Sequence, residues 1–160
     1  MIRFILILFV FFLIPQAANS EEKDHLIELE SFKALSARVC QENKIMVIMI
    51  SRENCPYCIK LKKQILIPEL KNGELNNQWL LRELLIDEGK THIGFDGETI
   101  ESLFYTESIN ATLTPTLVFL GPDGKELGKR IVGIGGAMEF YGFYLRQSIN
   151  QALDHLNCSQ

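Results

Sequence analysis

The feature that most constrains this chain is a pair of cysteines, Cys55 and Cys58, separated by two residues in the sequence Cys-Pro-Tyr-Cys. A continuous apolar run at 45–50 comes shortly before them, and a run this short and rich in β-branched residues predicts a central strand buried on both faces. Apolar residues then recur at helical spacing, and Pro56 suits the first turn of a helix, where its missing N–H is not needed. We therefore expect Cys55 to lie at the N-terminus of a helix that follows a buried strand and ends at Pro68.

This position favours the thiolate, which is the reactive form of a cysteine. Unpaired backbone N–H groups and the positive end of the helix dipole stabilise a negative sulfur at a helix start. Cysteines placed this way in Cys-x-x-Cys motifs have pKa values of about 3.5 to 7.5, against about 8.5 for a free cysteine. Arg52 and the lysines of the following helix add positive charge, whereas Glu53 opposes it. We predict that Cys55 is the nucleophile and that Cys58 resolves the mixed disulfide formed by Cys55.

The rest of the chain alternates between helical and strand patterns. In chain order, hydrophobic spacing and turn residues predict a helix at 31–42, a strand at 80–86, a polar surface excursion at 90–99, a short helix at 100–109, a strand at 114–120, its hairpin partner at 125–132 and a closing helix at 138–156. This alternation predicts an α/β domain.

Residues 1–20 are predicted to form a cleavable signal peptide. Arg3 precedes an apolar run at 4–14, and small residues at Ala18 and Ser20 fit the site that a signal peptidase reads. The eleven apolar residues of this run are fewer than the roughly 20 that a transmembrane helix needs. An uncleaved membrane anchor is the alternative.

The remaining residues, 21–160, are predicted to form one domain, because no repeat, low-complexity tract or flexible linker divides them. Arg3 is the leader's one charge, so the chain's net charge of −4 becomes −5 in this domain. A nucleic-acid partner is therefore not expected, since phosphate binding needs a basic face. We expect His25 and His92 to occupy ordinary polar positions.

The four cysteines admit more than one arrangement in an oxidising compartment. A disulfide between Cys55 and Cys58 would close a very short loop and so would stabilise the fold little. The spacing of two residues instead suits a redox pair or half of a zinc site. His155 and Cys158 would complete a Cys₃His zinc set with them. Cys40 and Cys158 would alternatively form a structural disulfide. A partner-binding or chaperone domain with vestigial cysteines is the third alternative.

Three motifs together carry a resemblance to a known family. They are Cys-Pro-Tyr-Cys at 55–58, Phe-Asp-Gly at 95–97 and Thr-Pro-Thr-Leu-Val-Phe at 114–119. With the order of the predicted elements, they resemble the thioredoxin superfamily over nearly all of the mature chain, and more narrowly the exported SoxW-type thioredoxin-like proteins. The resemblance implies a thioredoxin fold, in which helices flank a central mixed β-sheet and a short insertion precedes the strand that contains Pro115.

The resemblance also implies a function and the residues that perform it. Pro115 is expected to follow a cis peptide bond beside the cysteines, and the backbone of Thr114 to pair with an extended substrate peptide. Pro56 and Tyr57 would complete the substrate surface around the redox-active disulfide. The implied protein is a periplasmic monomer, or a secreted one if the host has no periplasm, with no metal and no organic cofactor. It would exchange its dithiol with disulfides or dithiols of other exported proteins, as a reductant recharged by a membrane electron carrier. A disulfide oxidase or isomerase is the alternative.

The sequence departs from general thioredoxins at two positions. Asn54 stands where they place a tryptophan before the first cysteine. Met49 stands where they bury a carboxylate that helps to deprotonate the second thiol. We expect a water molecule, Glu53 or a substrate group to take over that proton transfer.

Overall fold

The structure is a computed structural model that describes residues 25–135 and 138–158. The predicted signal peptide and its cleavage site lie outside these residues. Within them, no helix has the length and apolar character that crossing a membrane requires.

The described chain forms a mixed α/β fold, as predicted. Its helices are α1 (Phe32–Glu42), α2 (Pro56–Leu61), α3 (Ile67–Asn72), α4 (Ser102–Ser108) and α5 (Tyr141–Asp154), and its strands are β1 (Ile45–Ser51), β2 (Trp79–Leu85), β3 (Thr91–Ile93), β4 (Thr99–Glu101), β5 (Thr116–Leu120) and β6 (Glu126–Val132). A π-helical turn, Lys62–Leu66, joins α2 to α3, and a 3₁₀ turn, Met138–Phe140, precedes α5. Four strands form one sheet in the order β2-β1-β5-β6, and β3 pairs with β4 in a second, two-stranded sheet.

Strand β1 is the centre of the main sheet. It runs parallel to β2 and antiparallel to β5, and all seven of its residues are buried. Its side chains alternate between two hydrophobic cores. Val47 and Met49 face the core that α2 and α5 complete, whereas Met46 and Ile48 face the core shared with α1. The continuous apolar run thus forms the doubly covered strand predicted from it.

Helix α1 begins and ends at recognisable caps. The Ser31 side chain accepts a hydrogen bond from the backbone N–H of Ala34 at 3.1 Å, which satisfies one of the unpaired donors of the first turn. Asn43 ends the helix in the left-handed conformation, with a φ of 51°. The predicted helix at 31–42 is therefore confirmed to within its capping residue.

The prediction that the helix after the cysteines ends at Pro68 is wrong. The backbone N–H of Ile67 bonds to the carbonyl of Lys62, five residues earlier, which gives the π-helical turn. Pro68 then lies in the first turn of α3, where the π-helical turn passes into the α-helix. The change in hydrogen-bond spacing lets the helical path continue beyond the proline.

The polar segment predicted as a surface excursion is partly ordered by β3 and β4. His92 of β3 is 2% exposed, so the expectation of an ordinary polar position is wrong. Its Nδ1 lies 3.1 Å from the Ser102 hydroxyl, and its ring contacts Phe32 and Tyr105 edge-on. Burial lowers the pKa of His92 to about 4, because the charged imidazolium would lose its hydration. Its neutral ring therefore belongs to the core.

A disulfide joins Cys40 of α1 to Cys158 after α5, with 5.5 Å between the two Cα atoms. The structure thus settles the pairing that the sequence left open. The bond closes a loop across 118 residues, so it connects the first helix to the end of the described chain.

Candidate redox site

Cys55 and Cys58 lie at the junction of β1 and α2, as the sequence predicts. Cys55 is the N-cap residue of α2 with an extended backbone, and Pro56 takes the first helical turn. The Cys55 Sγ accepts a hydrogen bond from the backbone N–H of Cys58 at 3.2 Å. This donor stabilises negative charge on Cys55.

The two cysteines form a disulfide but differ in access to solvent. Their Cα atoms are 5.2 Å apart. Cys55 is 9% exposed and Cys58 is fully buried. An incoming sulfur therefore reaches Cys55 first, while Cys58 lies behind it in the core shared with Met49 and Leu61.

The loop before β5 brings Thr114 and Pro115 to the cysteines. The peptide bond between them is cis, in agreement with the prediction. The Thr114 hydroxyl lies 3.6 Å from the Cys55 Sγ. Pro115 is buried, and its carbonyl accepts a hydrogen bond from the backbone N–H of Gly133 at 2.7 Å. Thr114, distant from the cysteines in sequence, is thus held beside the Cys55 sulfur.

The surface around Cys55 carries exposed side chains that a partner could contact. Tyr57 is 60% exposed on the first turn of α2, and Leu113 is 68% exposed one residue before Thr114. Both side chains are therefore accessible to a molecule that approaches Cys55.

The carboxylate of Glu53, expected to oppose the thiolate, is paired with a lysine. Its carboxylate pairs with Lys90 at 3.1 Å, and its backbone N–H donates to the Asp87 carboxylate at 3.0 Å. The hydrogen bond to Glu53, with the nearby charge of Glu28, raises the pKa of Lys90. Glu53 therefore belongs to a surface cluster of charges and is not an isolated acid beside the cysteines.

Lys62 does not contribute a free positive charge, because it pairs with a buried acid that the sequence analysis missed. Its Nζ lies 2.8 Å from an oxygen of Glu83, a residue of β2 that is only 7% exposed. The signal in the sequence was a glutamate that follows Arg82 inside a mostly apolar strand. Its significance depends on strand register, which the sequence does not display.

The alternative zinc set is not assembled. Cys158 is bonded to Cys40, and the His155 ring is placed 3.3 Å from the carbonyl of Leu127. Across residues 25–135 and 138–158, no group of three His, Cys, Asp or Glu side chains is arranged to hold a metal ion.

Comparisons with known proteins found one matching family profile and several structures of similar fold. A family profile described as a thioredoxin-like domain matches residues 32–147. The fold is similar to that of a DsbH oxidoreductase, with a TM-score of 0.56, 21% identity and coverage of 81% of this chain and 86% of that one. It is also similar to the thioredoxin of Malassezia sympodialis, with a TM-score of 0.52, 15% identity and coverage of 81% and 91%. The thioredoxin of Fasciola hepatica gives a TM-score of 0.50, 15% identity and coverage of 76% and 99%. A search of the curated proteins gave no match.

Proposed function

We propose that this chain, which belongs to the thioredoxin-like domain family, is a thiol–disulfide oxidoreductase whose working pair is Cys55 and Cys58. The observation that carries the proposal is the placement of a bonded cysteine pair at a helix start, with one sulfur accessible and the other buried. Such a pair can exist as a disulfide or as a dithiol, so it can carry two electrons without a cofactor.

In the reducing direction, the Cys55 thiolate attacks one sulfur of a substrate disulfide. The substrate S–S bond breaks, a mixed disulfide forms at Cys55, and the other substrate sulfur leaves as a thiolate that takes up a proton. The Cys58 thiolate, having released its proton, then attacks the Cys55 Sγ. The bond between the cysteines forms, the mixed disulfide breaks, and the second substrate sulfur leaves as a thiolate, so the substrate has gained two electrons.

Thr114, Pro115, Pro56 and Tyr57 are proposed to bind the substrate around Cys55. The supporting observation is the contact between the Thr114 hydroxyl and the Cys55 sulfur. The backbone ahead of β5 would pair with an extended substrate segment as an added strand, which gives affinity with little dependence on sequence.

We further propose that the protein is exported and acts as a monomer on other exported proteins. The support is the signal-peptide pattern of residues 1–20, which leaves 21–160 as the mature domain. The compartment would be the periplasm, or the outside of the cell in a host without one. The resemblance to SoxW-type proteins favours a reductant that a membrane electron carrier recharges.

An oxidase is the second candidate for the direction of electron flow, and one observation favours it. The helix start and the hydrogen bond from the Cys58 N–H stabilise a thiolate at Cys55. Stabilising the reduced form makes a dithiol a stronger oxidant. The equilibrium constant with glutathione decides between the two: a potential near −270 mV would support the reductant, and one near −120 mV would establish a disulfide donor.

The activity is tested by insulin reduction with an electron donor present. The wild-type protein should turn over, and Cys55→Ser should abolish turnover. Cys58→Ser should accumulate mixed disulfides with substrate proteins, because the resolving thiol is missing. A folded wild-type protein that reduces no disulfide and forms no mixed disulfide would instead support a partner-binding domain with vestigial cysteines.

A further inference from the structure

Strand register places one carboxylate beneath the helix that carries Cys58. Glu83 of β2 lies directly opposite Met49 of β1, and paired residues of neighbouring strands project from the same face of a sheet. Met49 packs in the core that contains Cys58, and Leu81, two residues before Glu83, packs in the same core. The Glu83 side chain therefore emerges on the cysteine side of the sheet.

Lys62 connects this carboxylate to the cysteine pair. Lys62 follows Cys58 by four residues, and its backbone N–H bonds to the carbonyls of Cys58 and Ile59. Residues four apart on a helix lie on the same face, with about 5–6 Å between their Cβ atoms. Lys62, which carries the ion pair to Glu83, thus lies one helical turn from the buried Cys58. Water screens this partly buried pair less than it screens charges at the surface.

Few other charges face this pair. Glu83 borders a solvent-open cavity of about 190 Å³ that is also lined by His25 and Lys63. Glu28, whose backbone is bridged to that of Glu83, directs its own carboxylate to Lys90. All seven residues of β1 are uncharged. Glu83 is thus the acid that the described structure buries on the cysteine side of the sheet.

We propose that Glu83 is a positioning residue that sets the ionisation of the Cys58 thiol, with Lys62 as its counter-charge. The inference rests on the proposed function and assigns to Glu83 the balancing of a lysine charge that lies one helical turn from Cys58. Lys62 alone, one helical turn from Cys58, would favour the Cys58 thiolate, and the Glu83 carboxylate cancels that charge. Cys58 therefore stays protonated while the helix start keeps Cys55 ionised. The two sulfurs are thereby separated into a nucleophile and a resolving thiol.

The test follows thiolate formation by ultraviolet absorbance against pH in the Cys55→Ser protein, where Cys58 is the remaining free thiol. Glu83→Gln leaves the Lys62 charge unbalanced and should lower the ionisation midpoint of Cys58 by about one pH unit. Lys62→Gln should raise that midpoint. The variant with both substitutions loses both charges and should return close to the parent value.

Two controls make the test specific. The Cys55→Ser/Cys58→Ser protein gives the tyrosine background, which is subtracted. Glu53→Gln removes an exposed carboxylate already paired with Lys90, and should leave the midpoint unchanged because water screens it. Thermal unfolding of each variant verifies that it is folded.

The proposal is overturned if folded Glu83→Gln leaves the midpoint unchanged or shifts it in the same direction as Lys62→Gln. A shift caused by Glu53→Gln and absent in Glu83→Gln would overturn it as well. The measurement needs no substrate, so a protein inactive towards insulin would contradict the proposed function while this titration still tested the role of Glu83.

Discussion

Cys55 and Cys58 differ at the scale of single residues in both exposure and hydrogen bonding. The Cys55 sulfur accepts a backbone hydrogen bond, and Cys55 is partly accessible to solvent, whereas Cys58 is fully buried in the core. The thiolate is the form that reacts with alkylating agents. The residue with the stabilised and accessible sulfur should therefore react first.

We predict that limiting iodoacetamide modifies Cys55 in preference to Cys58 after gentle reduction of the wild-type protein. Peptide mapping by mass spectrometry locates the label. Unfolded protein serves as the control, because both cysteines should then react alike. Preferential modification of Cys58 in the folded protein would reverse the roles assigned to the two sulfurs.

His92 gives a prediction about stability and pH. The pKa of its buried ring is lowered to about 4 from 6.5, so the unfolded chain takes up a proton at a higher pH than the folded protein does. The stability contributed by the neutral ring is complete above about pH 6.5 and is lost as the pH falls towards 4. The full difference corresponds to about 3 kcal/mol.

Urea unfolding between pH 7 and pH 4 measures this effect. The wild-type free energy of unfolding should decrease across the interval, and His92→Gln should decrease less by up to about 3 kcal/mol. Comparing slopes removes the constant cost of losing the ring contacts with Phe32 and Tyr105. Identical slopes in the two proteins would show that His92 takes up its proton equally easily when folded and unfolded.

Residues such as His92 and Glu83 mark the limit of what a single sequence predicts. Cys55 and Cys58 were predictable because strand, proline and helix are adjacent in the chain and fix the local geometry. The burial of His92 requires Phe32 and Tyr105, and the position of Glu83 requires the register of β1 against β2. These are long-range relations, which hydrophobic periodicity does not encode.

At the scale of elements, α1 offers a test of how much one cap contributes. The Ser31 hydroxyl bonds to the Ala34 N–H, and removing such a cap typically costs about 1 kcal/mol. Ser31→Ala should lower the free energy of unfolding by about that amount, as measured by urea unfolding. Ser31→Asp preserves an acceptor and should remain close to the wild type. Equal losses in both variants would attribute the effect to other contacts of Ser31.

Element boundaries were predicted well where the chain carries its own signals. The strand at 45–50 and the helix at 31–42 were confirmed because a continuous apolar run and a helical spacing of apolar residues define them locally. The helix expected to stop at Pro68 continued because the π-helical turn changes the hydrogen-bond spacing ahead of the proline. Nothing in the spacing of apolar residues distinguishes a π turn from an α turn.

At the scale of the whole molecule, the two disulfides lie on opposite sides of the central sheet. Cys40 packs against the core that α1 covers, and Cys58 belongs to the core that α2 and α5 cover. The bond between Cys40 and Cys158 restrains an unfolded chain over a span of 118 residues. A loop of that length corresponds to a stabilisation of up to about 5 kcal/mol, because the cross-link lowers the entropy of the unfolded chain.

We therefore predict that Cys40→Ser/Cys158→Ser loses up to about 5 kcal/mol of unfolding free energy and keeps its disulfide exchange. Urea unfolding in oxidising buffer gives the stability, and the glutathione equilibrium of Cys55 and Cys58 gives their potential at a temperature where the variant is folded. The potential should match that of the wild type, since the sheet separates the two bonds and no charged group beside Cys55 is altered. A folded variant with a changed potential would show instead that Cys40 and Cys158 exchange electrons with the redox pair, and the second bond would have to be counted as part of the active protein.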